Sequence, residues 1–410
     1  MLTNKFGKNR MKSQLLLAVL LCTSLTGTAC AEVSTYGNWT LITAGTDFGS
    51  RYDYGTTVFN DRLWIIGGHN QSGYLWSCPD NQTCDMNDVW SSPDGSNWTL
   101  VTDNAGFSPR SGMGVAVFDN RLWVIGGSGK NDVWSSLDGS NWTLVTDNAG
   151  FSPRRDMGVA VFSDELWVIG GGTPISPKND VWSSADGKNW ILITDNASFS
   201  PRYGKGVAVF DNRLWIIGGT GESGYTDPAT GYTYLSEGGS KDVWSSADGK
   251  NWTLITSDAP FNELEFPPVT AYDDRLWITG GGVWITGTMW PKHLPPHAFS
   301  EVWSSPDGSN WTLEQNDAGF SPRFLHGVAV FKNGIWVLGG TDNGDISGDI
   351  WYMPLPVPTQ PPATTAPLSS NISSTVSVVP GTFAQATLDP LMVGISLLII
   401  SWAGYYVKRK

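Results

Sequence analysis

The chain has 410 residues, 38 of them acidic and 25 basic, and a net charge of −13. That balance argues against nucleic acid and against anionic membrane surfaces as partners. Of the four cysteines, two fall in a leader, and the remaining Cys78 and Cys84 have no histidine pair nearby, which argues against zinc.

Residues 1–31 read as a secretory signal. Met11-Lys12 opens a basic stretch, residues 15–21 are apolar, and Ala29-Cys30-Ala31 fits a small-x-small cleavage site. A lipoprotein reading through Cys30 stays open. Thr28 and Ala29 suit it, whereas Gly27 stands where a larger aliphatic residue is usual.

One phrase then recurs six times between residues 36 and 353. An apolar run ends in Gly-Gly at 63–68, 122–127, 166–171, 214–219, 276–281 and 335–340. A Val-Trp or Ile-Trp pair follows at Trp90, Trp134, Trp182, Trp244, Trp303 and Trp351, so the repeat length is 44 to 62 residues. Repetition at that period marks a propeller or a similar array. In the second copy, Gly114 to Phe118 is a β-rich run, Asp119-Asn120 a tight turn, and Leu122 to Gly127 the next run. Asp132 to Ser136 follows, then the Asp138-Gly139 turn, then Trp142 to Thr146. Four strands with hairpin turns between them make one antiparallel blade. Of the 22 tryptophans, 18 occupy three fixed positions per copy, which makes them core filler. The Asn-x-Thr sequons at Asn38, Asn97, Asn141, Asn251 and Asn310 always precede an outer-strand Trp, and that tie to the repeat favours a turn role over a glycan role.

The sixth copy stops after Trp351, whereas Asn38-Trp39-Thr40-Leu41-Ile42 is an orphan outer strand at the start. The N-terminal segment is therefore expected to complete the last blade, and closure removes exposed sheet edges. Beyond the disc, residues 354–390 are rich in Pro, Thr and Ser and read as an extended stalk. Residues 391–407 are uncharged and mostly apolar, near the lower length limit for a membrane helix, and 408–410 are a basic cytoplasmic tail. The expected architecture is all-β, a six-bladed β-propeller closed by an N-terminal strand, with a C-terminal transmembrane helix.

The Gly doublets, the spaced aromatic pair such as Trp134 and Trp142, and the blade-start residues Arg51, Arg110, Arg154, Arg202 and Arg323 together resemble kelch repeats of the galactose-oxidase-like propellers. The likeness covers about residues 38–351. The Ser-x-Asp-Gly-x-x-Trp phrase also looks like the Asp-box of sialidase-type propellers, one residue shorter. This resemblance implies the fold and no particular activity. Galactose oxidase needs a copper site with a cross-linked cysteine, and Cys78 and Cys84 are expected to form a local disulfide, so no cofactor is implied.

Function is sought where the copies differ. Turns one and three are short, and the large insertions all fall in turn two, at 70–86, 220–241 and 283–300, on the face that also carries the blade connections. The candidate binding residues are Tyr225, Tyr232 and Tyr234 in blade 4, and Glu263, Glu265, Trp284, Trp290, His293 and His297 in blade 5. Pro295 and Pro296 preclude a helical metal pair from His293 and His297. An inward ring of the five arginines would hold an anion, but repeated local hydrogen bonds to backbone and carboxylate are the better expectation. The first reading is an exported, membrane-tethered binding module for an extracellular protein or glycan. The alternative is a glycan-active hydrolase or isomerase using carboxylates at the mouth.

Overall fold

The computed structural model describes residues 36–70, 84–173, 176–221, 224–226, 233–235, 239–283, 297–342 and 345–355. The chain divides into two units, Met1–Pro358 and Thr359–Lys410, and every described residue belongs to the first. The expected leader, membrane helix and tail lie outside the described residues, as does the expected stalk beyond residue 355, while Pro354 ends a blade 6 strand and Leu355 packs in the core.

Six four-stranded antiparallel sheets form the blades of a propeller. Blade 1 runs Gly55–Phe59, Arg62–His69, Asp85–Ser92 and Thr99–Thr102, and the next four blades repeat that order. The sixth combines Gly327–Phe331, Gly334–Thr341 and Ile346–Pro354 with Thr40–Thr43 from the chain's start, with Thr40 opposite Tyr352 and Leu41 opposite Trp351. The N-terminal strand therefore closes the ring as the sequence predicts. The six innermost strands contact one another in a complete circle. Among the described residues there are strands and no helix.

Local chemistry explains each strand boundary. The first hairpin of blade 1 turns on Asn60 and Asp61 at φ of 49° and 54°, and every other blade has the same two positive-φ residues at that place. This is the two-residue turn whose twist matches flanking strands, and Asn or Asp tolerates it best. At the second hairpin the register shifts between Ile66 and Gly68, so Gly67 is a bulge residue with φ of 58°. The third turn is held by side chains. Ser92 Oγ accepts from the Gly95 amide at 2.7 Å, and Asp94 accepts from the amides of Ser96 and Asn97 at 2.9 and 2.8 Å. Asn97 Nδ2 donates to Asp94 Oδ2 at 2.8 Å. Asn189 makes the same bond to Asp186 although Ile191 denies it a sequon, which supports the turn role of this asparagine.

Packing between blades uses the same residues. Six apolar clusters each straddle two blades: Ile66 and Val89 of blade 1, for example, join Met113, Leu122 and Val124 of blade 2. The tryptophan of each second strand is almost completely buried, and its rim lies against the Asp-Gly turn of the next blade. A Cβ on Gly139 would stand 2.2 Å from the Trp64 ring. Blade 6 has no such turn, and Tyr36 covers Trp277 instead, with ring centroids 4.6 Å apart.

Each blade-start arginine is locked in its own blade. Arg110 Nη1 donates to Gly126 O at 2.9 Å and to Asp132 Oδ1 at 2.7 Å, while Nη2 reaches Asp132 Oδ2 at 2.9 Å. Trp134 Nε1 donates to the same carboxylate, and the guanidinium lies 5.3 Å from the centroid of Phe107. Burial alone would raise the Asp132 carboxyl, but the hydrogen bonds from Arg110 and Trp134 and the charge of Arg110 together outweigh it and hold the group below its ordinary range. The arrangement repeats at Arg51, Arg154, Arg202 and Arg323, each beside its own aspartate. The five arginines are therefore dispersed and internally satisfied, as the symmetry of the repeat suggests.

Blade 5 replaces the whole unit. Leu264 stands in place of the arginine and joins the cluster between blades 4 and 5. The aspartate becomes Glu301, which accepts from Trp303 Nε1 at 2.9 Å and from Asn262 Nδ2 at 3.4 Å. Asn262 occupies the position that Ser108 holds in blade 2. A buried ion pair broken on one side costs about 3–5 kcal/mol, so Arg110→Leu is expected to destabilise by that amount, and adding Ser108→Asn with Asp132→Glu should recover a large part. Denaturant titration of the three proteins checks it; no recovery would show that the blade 5 solution depends on its neighbours. Deleting residues 38–43 removes buried Trp39 and the closing strand, which should cost about 3–5 kcal/mol and lower Tm by roughly 10 °C. An unchanged thermal melt would refute closure by that strand.

Candidate functional site

Two residues after each blade start, the chain meets its counterpart in the neighbouring blade, with a backbone hydrogen bond at five of the six junctions. Asp53, Gly112, Asp156, Gly204, Phe266 and Leu325 all adopt φ between 54° and 61°. Their backbones join blade to blade: Asp53 N–H donates to Leu325 O at 3.0 Å, Gly112 to Asp53 at 3.0 Å, Asp156 to Gly112 at 2.9 Å and Gly204 to Asp156 at 3.1 Å, and Phe266 donates to Gly204 O. This girdle lies at the start of the innermost strands, on the face where the second hairpins and the insertions turn. Four of the six are not glycine. A left-handed conformation costs an L-residue roughly 1–2 kcal/mol, so the ring geometry holds Asp53, Asp156, Phe266 and Leu325 against their preference.

Side chains on and beside the girdle form a charged cluster on one side of the mouth. Arg155 bridges two blades. Its Nη2 donates to Asp53 Oδ2 at 2.8 Å and its Nε to Asp156 Oδ2 at 3.0 Å. Both carboxylates are almost fully buried, at 9% and 5% exposure, while Arg155 remains 35% exposed. Glycine at 112 makes room for them: a Cβ there would stand 2.5 Å from Asp156 Oδ1 and 3.1 Å from Arg155 Cβ. Asp156 Oδ1 itself is buried without a hydrogen-bond partner. Next to this triad, Asp85 accepts from Ser128 Oγ at 2.6 Å and meets His69 Nδ1 at 2.8 Å. Ser111 lies between Asp53 and Asp85 and hydrogen-bonds to both.

The electrostatics follow from burial. Burial first, then the charge of Asp156, pushes the Asp53 carboxyl up to about 8, and burial raises Asp156 as well. Lys205, in the buried layer beneath Gly204, is brought down to about 7 by burial and then by Arg202 and Arg154. Burial followed by Glu265 raises the Tyr203 phenol, which hydrogen-bonds to that carboxylate. Burial also raises Asp85, but hydrogen bonds from His69 and Ser128 outweigh it and leave the group below its ordinary range. Opposite the charged side, Phe266 covers Gly204 and meets Tyr203 edge-on at 6.2 Å.

The expected site residues divide. Glu265 is buried at the mouth with Tyr203. Glu263, two residues earlier, is exposed, so the two face different surroundings. His297 opens the third strand of blade 5, exposed and opposite Val283. Tyr225 and Tyr234 are cross-strand partners in a small hairpin, Gly224–Thr226 with Thr233–Leu235. Tyr232, Trp284, Trp290 and His293 lie outside the described residues. Cys84 is disulfide-bonded, and Cys78 lies outside the described residues. His326 is buried, with Nε2 2.8 Å from Thr279 O. Burial and then Arg323 lower its pKa to about 3, in keeping with a core role.

Sequence reasoning missed Asp53, Arg155 and Asp156. The signal was present in the residues after each blade start, which read Tyr-Asp, Ser-Gly, Arg-Asp, Tyr-Gly, Glu-Phe and Phe-Leu around the ring. Only copies 1 and 3 place a carboxylate at the second position, and only copy 3 adds a cation.

The Asp53 shift has a defined sign. Between roughly pH 4 and 8 the fold holds a proton there that the unfolded chain has lost, so the stabilisation is full below pH 4 and fades toward pH 8. Lys205 acts oppositely: above about pH 7 it is neutral in the fold and charged when unfolded, so stability returns as the unfolded amine deprotonates toward pH 10. Tm is therefore expected to dip near neutral to mildly alkaline pH, and Asp53→Asn should flatten the fall on the acidic side. Melting curves from pH 5 to 9 test this, and equal slopes in both proteins would show an ionised Asp53 throughout. Compared with known proteins, the chain matches no family model and no curated sequence.

Proposed function

We propose that this chain is an exported, membrane-tethered propeller of kelch type that serves as a binding module for an extracellular protein or glycan. The observation that carries the reading is an asymmetry between faces. One face bears six near-identical two-residue turns and side-chain-locked Asp-Gly turns. The other carries the second hairpins, into which the sequence inserts its extra residues, together with the charged mouth of the ring. Repeat scaffolds place recognition on the face where the copies diverge, and the mouth there presents charged and aromatic groups rather than a uniform polar rim. Residues 354–390 serve as the stalk and 391–407 as the anchor in this reading. The hydrolase or isomerase alternative gains no support, because Glu263 is exposed and Glu265 is engaged by Tyr203.

The test uses the full-length chain in detergent on a glycan array and against candidate surface proteins. Shortening 220–241 and 283–300 to the two-residue turn of blade 2 is expected to abolish whatever binding the unaltered chain shows. Retained binding after both deletions would overturn the assignment to this face.

A further inference from the structure

The outer strands of the six blades are nearly one sequence, and a single copy departs from it. In five blades the strand opens Trp-Thr-Leu, from Trp39, Trp98, Trp142, Trp252 and Trp311, whereas blade 3 reads Trp190-Ile191-Leu192. The five threonines are exposed, and the isoleucine that takes their place is more so than any other large hydrophobic residue described, at 61%, with Leu192 beside it at 44%. Nothing inside the blade calls for the change, because Ile191 pairs with Ser183 in the same register in which Thr143 pairs with Ser135. Consecutive strand residues point to opposite faces, so Ile191 and Leu192 leave both sides of this edge apolar. Ile191–Thr194 is the last strand of its sheet, with no strand beyond it among the described residues.

The two ends of this strand carry opposite charges. Lys188 precedes it and Asp195 follows it; both are exposed, and neither belongs to an ion pair among the described residues. No other outer strand combines the two. Serine replaces the lysine in blades 1, 2 and 5, at Ser96, Ser140 and Ser309, and blade 6 has Gly37 and Ala44 at the two places. Blade 4 keeps Lys250 but has Ser257 for the aspartate, and the adjacent Asp258 already meets Lys241 at 3.5 Å. A strip that runs cation, apolar, anion is complementary to itself when reversed. A two-fold axis across its middle sets Lys188 of each copy against Asp195 of the other and covers the apolar pair with its own counterpart. An axis along the strand would oppose like charges instead. The bulge at Ile193, which all six outer strands share in register, discourages a continuous ladder between copies, so the contact rests on side chains.

We propose that the outer strand of blade 3 is a self-association surface on the wall of the disc. Two copies of this chain meet there antiparallel through Ile191 and Leu192, with Lys188 and Asp195 pairing across both ends. The surface is separate from the mouth and from the second hairpins, so it does not depend on the reading of that face as a contact surface. One short strand from each copy buries far less than the ~1,200 Å² at which stable complexes begin. The dimer is therefore weak, with Kd on the order of 100 μM.

The experiment follows the full-length chain in detergent by sedimentation velocity, from roughly 5 to 500 μM. Exchange between monomer and dimer is expected. Ile191→Gln puts a polar side chain where the other blades have threonine and should weaken association at least about tenfold. Lys188→Glu and Asp195→Lys should each weaken it about threefold, and the two together should restore it. Leu192→Cys is expected to cross-link between copies with a short bismaleimide, well above the level reached by Leu254→Cys at the equivalent place in blade 4. All four positions are exposed, and a thermal melt of each variant verifies its fold. A monomer throughout the range, association indifferent to Ile191→Gln, equal cross-linking at the two cysteines, or a double reversal weaker than either single one would overturn the proposal. Self-association through residues 391–407 would be indifferent to every one of these changes and so counts against it. Ligand binding governed by the insertions would persist in all the variants, which keeps the failure of one reading distinct from the failure of the other.

Discussion

Everything in this molecule depends on how closely adjacent blades approach the axis. The first glycine of the Gly-Gly pair sits in a bulge in five of the six blades, and in all six the residue three places after the next blade start packs directly onto it. A Cβ on Gly67 would stand 2.6 Å from Met113 Cε, and one on Gly126 would stand 3.0 Å from Met157 Cε. The same relation continues around the ring through Lys205, Pro267, His326 and Tyr54. Chemically unlike side chains fill equivalent places because the constraint is on the surface that receives them. A side chain on any one of these glycines would wedge two blades apart and break the circle of inner strands.

Given that approach, polar groups at the blade starts must be satisfied without water. In five blades an arginine reaches the glycine carbonyl and an aspartate that also accepts from the indole, and at Asp132, Asp180, Asp242 and Asp349 the hydrogen bonds and the arginine charge together outweigh burial and hold the carboxyl below its ordinary range. Blade 5 demonstrates that the unit is exchanged as a whole: losing the cation goes with a longer acid and an amide that holds it. The absence of arginine there has a structural compensation in Asn262 and Glu301.

Blade number, strand order, closure and the core role of the tryptophans were legible in the sequence because each is repeated, and repetition multiplies a weak local signal. The site was only partly legible. Glu265 was identified from its break with the pattern, and the structure places it at the mouth. Asp53, Arg155 and Asp156 come from blades whose repeats look ordinary, and they meet only because the ring brings residues a hundred positions apart to a common axis. No spacing rule within a single blade reports on that. Their burial, which sets their charge, is likewise a property of the assembled girdle and not of the local phrase.

The position of the N-terminal strand has a mechanical consequence. Ile346–Pro354 is hydrogen-bonded along both edges, to Gly334–Thr341 on its inner side and to Thr40–Thr43 on its outer side. A pull applied at residue 355 along that strand is therefore resisted in shear, with two ladders of bonds loaded together, and does not unzip an edge one bond at a time. Without Thr40–Thr43 the same force would meet a single ladder at the rim. The segment that completes the circle is thus also the clamp on the strand through which any tension from the downstream chain enters the disc.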